Sequence, residues 1–246
     1  MVQEQLSRQV GVGSVIANLV CFTRTADRVE RAERELLRVG ASEVRRWWNF
    51  PNPFDAVLLS QMPHTKLMDG QIGFFNASVT HYRIIKTSLE LGEDRVLVCE
   101  DDVRFRKDIA RIDDILAFPQ AASADVLLLD GIPPKKGLLT PLRDIGNGFA
   151  EFDSMRSGAC YVLSRKGMER IVWLYESAVD RSVRGRKARI CDQWFEREYL
   201  KGLNLVMAYP NAAIQQTIPG HHNSGNKWRL VGYSTLGINV DDYTKY

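Results

Sequence analysis

SVIANLVCF, residues 14 to 22, is an apolar, β-prone run, and TADRVERAERELLRVG follows it with almost no spacer. The second segment predicts a helix. Val29, Ala32, Leu36, Leu37 and Val39 form an apolar stripe, Asp27 and Glu30 have the spacing of a capping box, and Gly40 supplies a stop. A strand that passes straight into an amphipathic helix buries both apolar surfaces by folding the helix back over it. That is the opening of an α/β fold.

The alternation continues. ASVTHYRIIKTSLELG predicts a helix ending at Gly92, which feeds a strand over 95–99. DVLLLDG (125–131) reads as a second buried strand. SGACYVLSRKGMERIVWLYESAV reads as a strand, a turn at SRKG, and a helix with Met168, Ile171, Val172 and Tyr175 on one side. CDQWFEREYLKG predicts a short helix, and LNLVMAYP a last apolar strand. Between them, WWNFPNPF (47–54) reads as a rigid aromatic loop because its prolines exclude regular structure. RSVRGRKAR (181–189) has five basic residues and no apolar period, so it reads as an exposed loop. We expect a single domain over 1–246, with 1–13 flexible and 211–246 a tail rich in Gly, Asn and His. Its sheet should be mainly parallel and covered by helices on both faces.

Composition narrows the classes. With 246 residues, 45% of them apolar, the chain can bury a large core. No run of about 18 apolar residues is present, so no membrane-spanning helix is expected. MVQEQLSRQVGVGS has no apolar signal core, so a cytoplasmic protein is expected. Cys21, Cys99, Cys160 and Cys191 show no CxxC spacing and read as reduced packing residues. A net charge of +3 does not argue for nucleic acid.

The chemistry is concentrated in RVLVCEDDVRF (95–105), where an apolar strand runs into Glu100, Asp101 and Asp102 without a spacer. In open α/β sheets, ligands gather beyond the carboxyl ends of the strands, where Asp130 also falls. Residues two apart on an extended chain point the same way, so Glu100 and Asp102 can converge on one point. Hard oxygen donors of this kind suit Mg²⁺ or Mn²⁺. The competing reading is a solvated acidic turn balanced by Arg104, Arg106 and Lys107, and the triplet alone does not choose between them.

Its surroundings resemble glycosyltransferase family 25, the lipooligosaccharide and procollagen galactosyltransferase group. GQIGFFNASVTHYRIIKTSLELGEDRVLVCEDDVRF matches the family pattern of a Gly–Cys segment, a Ser–His on a helix and a strand ending in Glu-Asp-Asp. Phe74 stands where the cysteine is usual, and Thr80 replaces the serine before His81. NLVCFTRTADR, DVLLLDG, SGACYVLSRKGMERI and CDQWF extend the resemblance over residues 14 to about 217.

The resemblance implies a GT-A-like fold, of the nucleotide-diphospho-sugar transferase type, and metal-dependent transfer of a hexose, galactose first, from a UDP-sugar to a saccharide or glycoconjugate acceptor. Asp102 would bind the metal directly, with Glu100 sharing the ion and Asp101 positioning ribose or water. Late histidines, His221 and His222, would add to the metal, and Lys227 to the diphosphate. Gly158 and either Gln215 or Gln216 would line the donor site. Arg24 and Arg28 follow the first strand, where a nucleotide would bind, and Arg28 reads alternatively as a solvated residue on a helix surface.

Asp192, at a helix start, reads as an N-cap or as the general base of an inverting transfer, with Asp130 as the alternative base. His81 reads as a buried support for the acidic site. Trp47, Trp48 and Phe50 read as core packing or as an acceptor platform. The 181–189 run can also meet acidic acceptors or the anionic inner face of a membrane. Two other classes fit less well: a non-catalytic nucleotide-sugar or saccharide-binding protein, and a phosphoryl-transfer hydrolase.

Overall fold

The computed structural model describes residues 15–21, 26–49, 69–132, 142–156, 158–183, 199–215, 233–234 and 236–244. The elements, in chain order, are β1 (Ile16–Cys21), α1 (Ala26–Arg38), β2 (Glu43–Trp48), α2 (Asp69–Glu90), β3 (Arg95–Glu100), β4 (Val103–Phe105), α3 (Ile112–Leu116) and α4 (Pro119–Ala122). They continue with β5 (Val126–Leu128), β6 (Leu142–Gly146), β7 (Phe149–Phe152), β8 (Cys160–Ser164), α5 (Arg165–Val183), β9 (Leu205–Ala208) and β10 (Ala213–Gln215). A 3₁₀ turn, Val240–Asp242, closes the described chain.

Eight strands form one mixed sheet in the order β2-β1-β3-β8-β5-β9-β7-β6. All but β8 and β7 run in one direction, so the sheet is mainly parallel as expected. Its strands alternate between two cores. Val20, Val96, Val98 and Leu128 face α2 and α5 with Ile84, Ile85, Met168 and Ile171. Leu19, Cys21, Leu97 and Cys99 face α1, α3 and α4 with Val29, Ala32, Leu36, Ile112 and Ala121. Helices on both faces explain why these strands have no polar side.

Several local expectations change. Leu37 is about half exposed, because Leu36 already fills the inward position and the next residue lies 100° further round the helix. Asp27 lies inside the first turn of α1, where a carboxylate meets the positive end of the helix dipole, and does not cap it. Trp47 and Trp48 belong to edge strand β2, one packed towards each core, and not to a loop. SRKG is the start of α5 and not a turn: the Ser164 hydroxyl accepts the Gly167 N–H at 3.2 Å as an N-cap. Gly167 is a glycine because a Cβ there would sit 2.2 Å from the Asp125 carbonyl oxygen. The β6–β7 hairpin and β10 have no counterpart in the expected strands. Residues 184–189 of the basic run, and all but Tyr199–Gly202 of CDQWFEREYLKG, lie outside the described residues.

The chain beyond Asn211 does not read as buried, yet β10 pairs antiparallel with β4 (Gln215 opposite Val103), and Tyr233 and Tyr243 are buried. Glu35 of α1 fastens this segment. It accepts from Arg38 at 2.8 Å, from the Thr244 hydroxyl at 2.7 Å and from the Phe105 N–H at 3.1 Å. Burial alone would push the Glu35 carboxyl up, and these bonds outweigh it and hold the pKa below the ordinary value.

A carboxyl whose pKa is lower in the folded chain contributes stability above its unfolded pKa, and that contribution is lost as the pH falls through the folded value. The stability gap between wild type and Glu35→Gln should therefore be full at pH 7 and shrink below the ordinary glutamate pKa of about 4.3. Urea unfolding at pH 7 and pH 3.5 checks this. A gap equal at both values would exclude the charge as the cause.

Candidate functional site at the carboxyl ends of the central strands

The acidic triplet lies where β3 ends. Glu100 is the last residue of β3, Asp101 and Asp102 make a turn, and β4 begins at Val103. Extended alternation therefore does not carry the convergence of Glu100 and Asp102. The convergence occurs through Gln215, whose Nε2 donates to Glu100 Oε2 at 2.9 Å and to Asp102 Oδ2 at 2.8 Å. The β10–β4 register delivers Gln215 opposite Val103, next to Asp102.

Arg28 approaches from α1. Its Nη2 lies 2.5 Å from Asp101 Oδ1 and 3.1 Å from Asp102 Oδ2. The Asp101 side chain is fully buried, and that of Asp102 is 6% exposed, so both need a counter-charge. Burial by itself would weaken the Arg28 charge. The fields of Asp102, Asp101 and Glu100 outweigh it and hold the guanidinium protonated more firmly than usual.

His81 of α2 is fully buried and supports Glu100. Its Nε2 lies 3.4 Å from Glu100 Oε1, and its Nδ1 is 2.8 Å from the Tyr161 hydroxyl of β8. Thr80, beside it, donates its hydroxyl to Asn49 Oδ1 at 3.2 Å.

β8 is antiparallel, so its first residues, not its last, arrive at this edge. The Glu100 N–H donates to the Ala159 carbonyl at 2.8 Å, and the Asp130 N–H to the Cys160 carbonyl at 3.1 Å. Gly158 is buried in the same segment. Asp130 is fully buried: its Oδ1 accepts from the Tyr233 hydroxyl at 2.9 Å and from Asn211 Nδ2 at 3.1 Å. In this arrangement it anchors the C-terminal segment, with no exposed face for an acceptor hydroxyl. The Tyr233 hydroxyl also accepts the Gln215 N–H at 3.0 Å, which links Asp130 to the acidic triplet. Tyr233 and Asn211 carry no sequence signal, since both fall in a polar stretch after the last expected strand.

Cys21, Cys99 and Cys160 are free and buried, with Cys99 and Cys160 sulfurs in contact at 3.4 Å. Burial, followed by the charge of Asp101, pushes the Cys21 thiol up to about 12. Trp47 donates its indole N–H to buried Asn18 at 2.9 Å, a packing role. Arg24, Phe50, Cys191, Asp192, Gln216, His221, His222 and Lys227 lie outside the described residues. Among the described residues, no three His, Cys, Asp or Glu side chains form a group able to hold a metal ion, and no helix is long and apolar enough to cross a membrane.

No protein-family model matches the chain, and no curated protein matches it. Among solved structures, the chain is similar over 92% of its length to the glycosyltransferase GlyE of Streptococcus pneumoniae, with 14% identity and a TM-score of 0.43. It spans 61% of that chain. It is also similar to mannose-1-phosphate geranyltransferase from Thermus thermophilus, with 13% identity, 82% of this chain, 73% of that chain and a TM-score of 0.32. A third likeness is to 4-diphosphocytidyl-2C-methyl-D-erythritol synthase, with 14% identity, 89% of this chain, 98% of that chain and a TM-score of 0.36.

Arg28→Met should cost roughly 3 kcal/mol, because it removes the guanidinium that pairs with two buried carboxylates. Arg28→Lys should recover part of this, since an ammonium restores the charge but not the planar fork of donors. Urea unfolding of the two variants checks the order. Equal losses would mean that Arg28 acts by packing.

Proposed function

We propose that this chain is a glycosyltransferase of the family 25 type on a GT-A-like fold, moving a hexose from a UDP-sugar to a saccharide or glycoconjugate acceptor. The observation that carries the reading is the convergence of Glu100 and Asp102 on one point at the carboxyl edge of β3, with Arg28 beside them. The carboxylate oxygens of Glu100 and Asp102 are the hard donors that suit Mn²⁺ or Mg²⁺.

Glu100 and Asp102 offer two hard oxygen donors to such an ion, and the further ligands would come from His221 and His222. When bound, the ion supplies Lewis-acid stabilisation to the departing diphosphate. Arg28 adds fixed positive charge on the same side. Arg24, Gly158, Gln216 and Lys227 are the further donor-site residues of this reading, and His221 and His222 the further metal ligands. His81 keeps Glu100 in place through its contacts to Glu100 and Tyr161. Asp192 takes the proton from the acceptor hydroxyl oxygen as it attacks the anomeric carbon, with inversion. Asp130, already bonded to Tyr233 and Asn211, is a less suitable base. Galactose is the sugar that the family resemblance favours. The protein works in the cytoplasm, and the 181–189 run can bring it to an anionic membrane face where a lipid-linked saccharide is held.

A thermal-shift screen of UDP-sugars should show stabilisation only with Mn²⁺ or Mg²⁺ present, because binding to the folded state raises apparent stability. Asp102→Asn should lose most of this coupling, since an amide cannot replace the charge that offsets the ion. Donor binding at wild-type strength without metal in that variant would sink the reading.

Asp192→Asn should cut turnover by roughly 10²–10⁴-fold while leaving donor affinity nearly intact, the mark of a group acting on the acceptor proton in the transition state. Its stability should hardly move, because Asn caps helices about as well as Asp. Transfer near the wild-type rate would remove Asp192 as the base. Donor binding with neither transfer nor donor hydrolysis would favour a binding protein.

A further inference from the structure

Trp173, on the outer face of α5, is 57% exposed, although tryptophan is among the most buried residue types on average. With Arg170, one turn earlier, it lines a cleft of about 360 Å³, a volume in the range of small-ligand sites. Arg170 Nη1 donates to the Tyr199 carbonyl at 3.0 Å, which fixes the guanidinium beside the indole, its carbon 6.0 Å from the ring centre. The other N–H donors of Arg170 have no hydrogen-bond partner among the described residues. An open aromatic face and an anchored cation thus share one opening, and neither serves the core or the acidic turn.

The surroundings narrow the occupant. α5 leaves the amino edge of the sheet, where β8 ends. Two residues beyond Trp173, Tyr175 stacks on Tyr82 of α2 with ring centres 4.1 Å apart, and His81, next to Tyr82, contacts Glu100. The cleft therefore lies near the level of the acidic turn. It opens on the flank of α5 turned away from α2, since Glu176 pairs with Lys86 of α2 at 3.1 Å on the opposite flank. Lys166, bound to the Gly202 carbonyl, lies on the Arg170 side. Exposed Glu169 and Glu176 make the helix face as a whole mixed in charge, which disfavours an anionic bilayer. One indole and one guanidinium fall far short of the roughly 800 Å² per partner of an ordinary protein interface. A sugar fits both groups: the C–H face of its ring stacks on an indole, and a carboxylate on it takes two parallel N–H bonds from a guanidinium.

We propose that Trp173 and Arg170 form a saccharide subsite that takes an acidic sugar residue of the acceptor, away from the point of transfer. The inference rests on the saccharide acceptor of the reading above and adds its charge and a minimum size. Cleft and acidic turn lie on opposite sides of α5, about one helix diameter or 10 Å apart, so an acceptor that meets both is an oligosaccharide and not a single sugar.

The test is titration of the full chain, without donor or metal, with tetragalacturonate and with its carboxyl-reduced neutral form, read by tryptophan emission and by calorimetry. Wild type should bind the acidic tetramer at least about tenfold more tightly than the neutral one, and more weakly as salt rises. Trp173→Ala should weaken that binding by at least about tenfold and Trp173→Phe by less, as for an aromatic anchor. Arg170→Gln should bring the acidic tetramer down to the affinity of the neutral one, a loss of preference that a change in packing would not produce. Circular dichroism should be the same for all four proteins. No saturable binding of tetragalacturonate up to about 10 mM, or equal binding by wild type and Trp173→Ala, overturns the inference. Binding of phosphatidylglycerol vesicles that depends on Trp173, with none of tetragalacturonate, overturns it in favour of a membrane face. The UDP-sugar screen separates this result from the reading it rests on. A UDP-sugar that binds where tetragalacturonate does not removes the subsite and leaves the transferase. The converse removes the acceptor role and leaves a chain that binds acidic saccharides.

Discussion

Three adjacent carboxylates at the end of a buried strand can coexist only if their charge is answered from outside the strand. Two unit charges about 4 Å apart interact by about 4 kcal/mol at the effective dielectric of a protein surface, and Asp101 and Asp102 are more buried than that. Arg28 answers from α1 with a charge and Gln215 from β10 with an amide donor, while His81 of α2 packs beside Glu100. These three residues come from 28, 81 and 215 in the chain, so the acidic turn cannot reach its geometry before the helices on both faces and the C-terminal strand are in place.

The antiparallel strand β8 makes the rest of the geometry possible. A parallel neighbour would bring its last residues to the carboxyl edge. β8 brings its first residue, Cys160, with Ala159 just before it, and their carbonyls take the N–H groups of Asp130 and Glu100. The strand thereby joins the two acidic strand ends through the backbone. Its other end passes directly into α5, where Ser164 caps the helix and Gly167 lets it approach the carbonyl of Asp125. One strand sets both the spacing of the acids and the seat of a covering helix.

The C-terminal segment makes a second connection. Tyr233 ties Gln215 to Asp130, the Tyr243 hydroxyl donates to the Asn211 carbonyl at 2.5 Å, and Thr244 reaches Glu35. The acidic triplet, Asp130 and the end of the described chain thus belong to one hydrogen-bonded network. Within it, Asp130 accepts from both Tyr233 and Asn211.

Sequence alone determined the alternation of buried strands and amphipathic helices, the stops at Gly40 and Gly92, the acidic end of β3 and the burial of His81. Each of these depends on residues close together in the chain, where period, turn chemistry and burial are legible. The edge strand β2 was hidden because EVRRWW carries arginines on a partly exposed strand and runs into prolines. The β6–β7 hairpin had a readable signal in Gly146-Asn147-Gly148, with Asn147 at positive φ, and its polar first strand masked it. The reversal of β8, the pairing of Arg28 with Asp101 and Asp102, and the choice of Gln215 as the residue between the acids were decided only in three dimensions. They rest on contacts between residues up to 115 positions apart, and such contacts leave no local pattern because either partner alone reads as an ordinary polar residue.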